Sequence, residues 1–431
     1  MTSAPNNSFP LFKVLLAVAM FCAPISAQQP QSQDEVRGAP AEPADAAEAR
    51  AQIAILEKLQ PTFPDRGAVL YYLAALHQHL GETLEATKLL KDCIALGEGF
   101  DPAGEREFAG LHTSHEFTEL AEKVHREFPA VAQARLGLVT EEKNLIPEGL
   151  AWDPNRKVFY LGSLAQRKIV QITPDSHASD FVPAGRDYLH PVLGIRLDPR
   201  DNSVWANTMD DYLGKAELLH YGPAGNVLGR FSLLDSPGSG SQVGNSAKHG
   251  FNDLAVLKSG PIFLTDSLAN QVYRFDPANK SFTPLTVHRE LLYPNGIALS
   301  SDDKHLFIAD GIGVIHVNLE TGASTDIHPG AHSTLAGADG LYWYNGSLIA
   351  VQNGIGSPRI AAFKLSDDST RITRTTVLEN RSQFTSLPTT GAIRGSDFYF
   401  ISNSHIDNLN NGKILDPTQL EPVRIAVVHL P

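Results

Sequence analysis

Apolar residues between positions 47 and 127 recur every three or four residues, the spacing that places side chains on one face of a helix. The spacing predicts helices over 47–60 and 114–127 and a pair of helices within 70–96. From about residue 135 the apolar period changes to two, and Gly, Pro, Asn and Asp separate short segments. We therefore expect a small all-α domain over 47–130, followed by an all-β domain over 135–431.

The helical pair within 70–96 resembles one tetratricopeptide repeat. Leu80 and Gly81 occupy the turn between the helices, and Ala86 is the small packing residue. Such repeats bury their faces against stacked neighbours, and one repeat is few for an array. The segment is therefore expected to be a small helical cap or a module that contacts a partner protein.

The β-rich part contains an internal repeat whose six copies begin alike, with starts 43 to 59 residues apart. The copies begin at Glu148, Leu193, Asn252, Asn295, Asp339 and Thr390. Each copy continues into further short apolar segments, as the four-stranded blades of a propeller do. The fold class predicted is thus an all-β six-bladed β-propeller preceded by a tetratricopeptide-like all-α domain.

The N-terminal end of the β domain can supply a strand that its C-terminal end lacks. The sixth unit ends with a strand predicted at 424–430 and is one strand short. The segment 135–141 precedes the first unit and can supply that outer strand. Pairing of the two ends would latch the ring and leave no large free edge.

The first residues of the six repeats should converge on one mouth of the central tunnel. Four of them carry side-chain oxygens: Glu148, Asn252, Asn295 and Asp339. Two carboxylates and two amides are the hard ligands that calcium takes, whereas zinc and copper favour His or Cys. Singly, Asn-Gly and Asp-Gly are also turn sequences. Their shared repeat position is what predicts a divalent-metal site, most consistent with Ca²⁺.

The composition and charge of the chain limit the classes of partner that it can bind. The chain has 431 residues and a formal net charge of −13, which argues against a nucleic-acid partner because phosphate is held by clustered Lys and Arg. Residues 1–27 have Lys13, a short apolar run and small residues before Ala27, as a secretory signal peptide does. Residues 28–46 are predicted to form a flexible linker. A secreted or periplasmic protein with no membrane span is expected, and Cys22 leaves a lipid-anchored form as the less favoured alternative.

The repeat starts carry a resemblance to a known family. The relevant runs are Ile146–Asp153, Phe251–Asp253, Pro294–Ser300 and Ala338–Leu341. They resemble the senescence marker protein, gluconolactonase and luciferin-regenerating enzyme family and, more distantly, the paraoxonases, over residues 138–431. The resemblance implies a six-bladed propeller, a catalytic metal held by Glu148, Asn295 and Asp339, and hydrolysis of lactones or related esters. Asn252 matches a metal ligand of paraoxonases and a substrate contact of gluconolactonases.

Departures from the family pattern limit what is carried over. Gly250 stands where gluconolactonases have a sugar-holding Arg, so specificity for sugar lactones is in doubt. Leu193 stands where paraoxonases have a catalytic His. Gly149 replaces an Asp that helps to hold their second calcium, and Asp253 alone is retained, so a second ion is not predicted.

The longest insertions fall in loops expected at the metal-side mouth, where they would form walls or a lid over a pocket. These insertions are 207–216, 232–250, 353–358 and 402–422. Asp339 itself is one candidate general base, and His190, His249 and His405 lie in metal-side loops as alternatives, with His332 a weaker fourth.

Three functions remain open at this point. The first is an exported metal-dependent hydrolase that acts on a small-molecule lactone or ester. The second is a non-catalytic propeller with a structural calcium that binds a ligand or, through the helical domain, a protein. The third is the chemistry of strictosidine-synthase-like propellers, which share the architecture and need not use the metal.

Overall fold

The computed structural model describes residues 45–210, 214–233 and 248–431. The predicted signal peptide, almost all of the predicted linker and the central parts of the 207–216 and 232–250 insertions lie outside these ranges. The helices of the described chain are α1 (Ala46–Leu59), α2 (Arg66–His79), α3 (Thr83–Ala95) and α4 (His115–Glu127). In the described residues, no helix is both long enough and apolar enough to cross a membrane.

Local chemistry sets the boundaries of the central helices. The Asp65 side chain accepts a hydrogen bond from the Ala68 amide at 3.2 Å and thereby caps the N-terminus of α2. The turn between α2 and α3 contains Gly81 at a φ of +76°, a conformation that glycine adopts without strain. Within α3, Ala86, Leu90 and Cys93 are buried on one face, in agreement with the apolar spacing of the sequence.

Twenty-seven strands are present in the described chain, and all but two of them form six antiparallel sheets, five with four strands and one with five. Two strands, β1 (Val131–Ala132) and β2 (Arg135–Thr140), precede the first blade. Blade 1 comprises β3 (Pro147–Asp153), β4 (Val158–Ser163), β5 (Lys168–Ile172) and β6 (Ala178–Val182). Blade 2 comprises β7 (Val192–Leu197), β8 (Val204–Asp210), β9 (Lys215–Tyr221) and β10 (Val227–Phe231). Blade 3 comprises β11 (Phe251–Val256), β12 (Ile262–Asp266), β13 (Gln271–Asp276) and β14 (Ser281–Pro284).

The second half of the ring repeats this arrangement. Blade 4 comprises β15 (Ile297–Leu299), β16 (His305–Asp310), β17 (Gly313–Asn318) and β18 (Ser324–Asp326). Blade 5 comprises β19 (Ala338–Tyr344), β20 (Ser347–Gln352), β21 (Arg359–Leu365) and β22 (Ile372–Asn380), with β1 added at its outer edge. Blade 6 comprises β23 (Gly391–Arg394), β24 (Asp397–Ile401) and β27 (Val423–His429), and a ribbon of β25 (Leu409–Asn410) and β26 (Lys413–Ile414) lies between β24 and β27 in sequence.

The predicted closure of the ring is confirmed. Strand β2 pairs antiparallel with β27, with Arg135 opposite Val427 and Thr140 opposite Val423. The N-terminal strand of the β domain is therefore the outer strand of the last blade. The prediction of a six-bladed propeller preceded by helices is confirmed as well.

Glycines allow the innermost strands to approach one another around the tunnel. A Cβ on Gly149 would lie 1.9 Å from the Leu193 carbonyl oxygen of the next blade. A Cβ on Gly194 would lie 2.6 Å from the Asn252 carbonyl oxygen of the blade after that. Both contacts are shorter than any side chain tolerates, so these two positions require glycine.

The helical domain and the propeller share one apolar core. Tyr71, Tyr72 and Leu76 of α2 belong to the same buried cluster as Ile312 and Ile355 of the propeller. Burial of each such side chain contributes roughly 1.5–3 kcal/mol to folding. The two parts of the chain are therefore packed against each other.

Candidate metal centre

One mouth of the tunnel contains carboxylates that are buried among apolar and amide groups. Glu148 at the start of blade 1 is 2% exposed, and Asp339 at the start of blade 5 is 6% exposed. Burial, then the nearby Asp339 carboxylate, raises the pKa of Glu148 well above its usual value. Burial likewise raises the pKa of Asp339 to about 7, although two amide hydrogen bonds oppose the shift. Two buried acids thus lie close enough to repel each other.

Two amides hold the Asp339 carboxylate in place. Asn295 Nδ2 donates to Asp339 Oδ1 at 2.8 Å, and Asn353 Nδ2 donates to Asp339 Oδ2 at 2.6 Å. Asn353 also donates to the Pro388 carbonyl oxygen at 3.0 Å. The Asn295 NH₂ group thus binds Asp339. The Asn295 Oδ1 atom, on the other side of the amide, is a buried acceptor with no partner among the described residues.

Asn252 stands at the corresponding position of blade 3. Its Nδ2 donates to Ser267 Oγ at 3.1 Å, and Ser267 Oγ in turn donates to the Pro294 carbonyl oxygen at 2.6 Å. The serine therefore ties the Asn252 side chain to the residue that precedes Asn295. The structure thus links Asn295 with Asp339 directly, Glu148 with Asp339 by electrostatic interaction, and Asn252 with its neighbours through Ser267.

The next layer of the tunnel holds an ion pair. Arg196 NH2 donates to Asp253 Oδ2 at 2.7 Å, and the guanidinium lies 5.1 Å from the Tyr342 ring centroid. Asp253 Oδ1 also accepts the Leu254 amide at 2.8 Å. Asp253 is therefore satisfied by an arginine, whereas Glu148 and Asp339 have no such cation among the described residues.

The donor set fits a divalent cation. Glu148 Oε2 and Asn295 Oδ1 are both buried and make no hydrogen bond of ordinary geometry in the described chain. The Thr389 hydroxyl lies near Glu148 and opposes the rise of its pKa without cancelling it. Unpaired buried oxygens and adjacent buried carboxylates are costly, and a cation bound between them would remove that cost. The described residues contain no cluster of three or more His, Cys, Asp and Glu that could hold a metal, and the candidate set has two carboxylates and two amides. Such an oxygen-only set suits calcium.

Three of the four histidines considered above have different partners at this face. His249 Nδ1 lies 2.6 Å from Asp266 Oδ2, while its Nε2 is buried with no partner among the described residues. The His190 ring nitrogens lie 3.5 Å from Asp210 Oδ2 and 3.9 Å from Glu217 Oε2. His405 Nε2 lies 3.1 Å from Asn403 Nδ2 and 3.4 Å from the Glu421 amide.

The fourth histidine contacts the helical domain. A Cβ on Gly97, just after α3, would lie 3.1 Å from His332 Nδ1.

Of the four histidines, His249 is the best placed to act as a base. Its Nδ1 contacts the fixed carboxylate of Asp266, and its Nε2 has no partner among the described residues. Asp266 is anchored because its Oδ1 accepts the amides of Gly250 at 2.8 Å and Ala269 at 3.1 Å.

Three further polar residues of this site are not among the site residues predicted from the sequence. Asn353 and Asp266 stand at or just after the end of the second strand of their blades. Asn207 of β8 donates to the Asp253 carbonyl oxygen at 3.0 Å, and its Oδ1 is buried without a partner in the described chain. Second strands run back toward the same mouth, so a search for polar residues at their ends would have found Asn353 and Asp266, whereas Asn207 lies within β8.

The 402–422 insertion forms an apolar wall against blades 1 and 2. Its side chains pack with residues from the start of blades 1 and 2 in one buried cluster. The cluster includes Ile146, Leu193, Met209, Ile406, Leu409 and Leu420. The insertion therefore packs close to the start of blade 1, where Ile146 lies two residues before Glu148.

Solved structures with a similar fold include propellers of several activities. They include a gluconolactonase from Xanthomonas campestris, with 14% identity, a TM-score of 0.46, and coverage of 70% of this chain and 91% of that chain. A luciferin-regenerating enzyme has 15% identity, a TM-score of 0.46, and coverage of 68% and 94%. A virginiamycin B lyase from Staphylococcus aureus has 14% identity, a TM-score of 0.47, and coverage of 69% and 100%. No protein-family model and no curated protein matches the chain in sequence. At these identities the similarity concerns the fold alone.

Proposed function

We propose that this protein is a divalent-metal-dependent hydrolase of lactones or related esters, with calcium as the metal. The observation that carries the proposal is the pair of buried carboxylates, Glu148 and Asp339, next to unpartnered oxygens at the mouth of the tunnel. Two negative charges balance one divalent ion, and Asn295 and Asn252 offer neutral oxygens to complete the site. When bound there, such an ion would supply Lewis-acid chemistry to an ester carbonyl.

Other residues of the chain would fix the metal ligand, accept a proton and exclude water. Asp339 is held by two amides, which fixes its oxygens for a ligand's role. His249 is suited to accept a proton from water at Nε2, because Asp266 at 2.6 Å from Nδ1 orients the ring and Nε2 has no partner among the described residues. The apolar wall of 402–422 would limit water around the substrate. Export rests on residues 1–27 and stays a prediction.

A chelator experiment tests the proposed activity. Purified protein is assayed on a panel of lactones and esters in excess chelator and again after calcium is restored. We expect hydrolysis to disappear in chelator and to return with calcium.

A substitution of one proposed ligand tests the same activity. Glu148→Gln keeps the shape of the side chain and removes its charge, so it should lower kcat/KM by at least about a hundredfold, a loss of several kcal/mol in transition-state stabilisation. Asp367→Asn, on an exposed loop between β21 and β22, is the matched control.

The outcomes separate the competing functions. Hydrolysis that is indifferent to chelator would eliminate the metal-dependent mechanism. Calcium binding that raises the melting temperature, with no hydrolysis of any panel member, would instead favour the ligand-binding propeller with a structural ion.

The proposed proton acceptor has its own test. His249→Gln should lower kcat by about 10²–10⁴-fold and leave calcium affinity unchanged, because the ring is not among the proposed ligands. Asp266→Asn should act in the same direction. Unchanged kcat in both variants would shift the role to Asp339, His190 or His405.

A further inference from the structure

The helical domain holds both chain segments that flank Asp339. One segment is the lead-in to β19, and the other is the loop from β20 to β21 that begins with Asn353. Each is bound by a buried group of the helical domain.

The first contact is made by Asp65, the residue that caps α2. Asp65 Oδ2 accepts the Thr334 hydroxyl at 2.8 Å and the Leu335 amide at 2.9 Å. Asp65 is 1% exposed, so its oxygens are committed to these partners and to the cap. The lead-in to Asp339 is thereby fixed to the start of a helix.

The second contact is made by the hydroxyl of Tyr72 on α2. It donates to the Gly354 carbonyl oxygen at 3.1 Å, while the Asp101 amide donates to the Ile355 carbonyl oxygen at 2.9 Å. The surfaces are in close contact, since a Cβ on Gly104 would lie 1.6 Å from the Gly356 carbonyl oxygen. The loop that carries Asn353 is therefore held from outside the propeller.

The contacts made by the helical domain lead to the Asp339 carboxylate. The amides of Asn353 and Gly354 donate to the Gly337 carbonyl oxygen at 3.0 and 3.2 Å, which joins the two held segments. Asn353 Nδ2 then donates to Asp339 Oδ2 at 2.6 Å. A continuous series of contacts thus leads from Tyr72 through Gly354 and Asn353 to Asp339.

We infer that the helical domain is a positioning part of the metal centre, and that Tyr72 is a positioning residue for Asp339 acting through Asn353. The inference rests on the proposed function, since it gives the domain a role in calcium binding. A detachable adaptor for a partner protein would not need buried hydrogen bonds to the two segments beside one candidate ligand.

The test is calcium titration by calorimetry on the full chain. Tyr72→Phe removes one hydroxyl and should weaken calcium binding about two- to tenfold, the range expected for the loss of one hydrogen bond. Thr334→Val removes the donor to Asp65 and should act in the same direction. The matched control is Tyr221→Phe in blade 2, whose buried hydroxyl has no partner in the described chain, and it should leave affinity unchanged.

A double-mutant cycle distinguishes positioning from general stability. If Tyr72 acts through Asn353, the Tyr72→Phe substitution should have no further effect on affinity in an Asn353→Ala background. Additive losses, or a wild-type affinity in both Tyr72→Phe and Thr334→Val, would overturn the positioning role while leaving the metal centre intact. A wild-type chain that binds no calcium would refute the proposed function itself.

Discussion

The substitution Asp339→Asn should stabilise the metal-free protein at alkaline pH while it weakens the metal site. Burial raises the pKa of Asp339 to about 7 in the folded, metal-free chain, whereas an unfolded Asp titrates near 3.9. The folded state therefore holds a proton that the unfolded state has lost over this interval. Stability must fall as pH rises from about 4 to about 7, and above that range the full cost of the buried charge is present.

The magnitude follows from the size of the shift. About three pH units at 1.36 kcal/mol each give about 4 kcal/mol for the ionised carboxylate. The asparagine variant avoids this cost, but it offers one oxygen where Asn295 and Asn353 present two donors. One mispaired amide costs about 1–3 kcal/mol, so the net gain at pH 9 should be about 1–3 kcal/mol. At pH 5 the gain should vanish or reverse.

Urea unfolding in excess chelator at pH 5 and pH 9 measures the difference. Asp367→Asn serves as the control for loss of one exposed charge and should stay within about 0.5 kcal/mol of wild type. Calcium should then reverse the order at pH 9, because it stabilises a folded chain that binds it and the variant binds it less well. A metal-free Asp339→Asn protein that is less stable than wild type at pH 9 would refute the claim that the mouth of the tunnel stores unfavourable negative charge.

Three further predictions concern stability. Burial and nearby Asp65 raise the pKa of Glu98 to about 8, so the folded protein loses stability as pH rises from about 4.5 to 8. Glu98→Gln should reduce this loss and raise the free energy of unfolding at pH 9 by about 1–3 kcal/mol. Chemical denaturation at a series of pH values measures this. Arg196→Met should cost about 3–5 kcal/mol because it leaves Asp253 buried and unpaired, and Asp253→Asn in the same chain should restore much of it, which thermal unfolding would show. Gly149→Ala should fail to give a stable ring, because its Cβ would lie 1.9 Å from the Leu193 carbonyl oxygen; a variant with wild-type unfolding would contradict the close approach of blades 1 and 2.

The sequence predicted what depends on repetition. Glu148, Asn252, Asn295 and Asp339 stand out because they share one repeat position, and the tunnel geometry brings that position to one mouth. The pairing of β2 with β27 could be predicted because a strand was missing from the last unit and a spare strand preceded the first. Periodicity carries this information without reference to distant contacts.

What could not be predicted depends on contacts that leave no pattern. Tyr72 and the Gly354 carbonyl oxygen are 282 residues apart, and the bond uses a backbone acceptor that every residue type supplies. The docking of the helical domain on blades 4 and 5 is therefore invisible in the sequence. The same holds for His249 with Asp266, because a histidine in a long loop has no fixed register with the strand that carries its partner.

The most direct measurement is an anomalous-difference map from crystals of the full chain grown with calcium or manganese. We expect one peak at the mouth of the tunnel, with oxygens of Glu148, Asn295 and Asp339 at about 2.3–2.6 Å from it when the ion is calcium. The peak should be absent in Glu148→Gln crystals grown in the same way. A wild-type map with no peak between these side chains, at a calcium concentration that saturates any binding seen in solution, would contradict the metal centre.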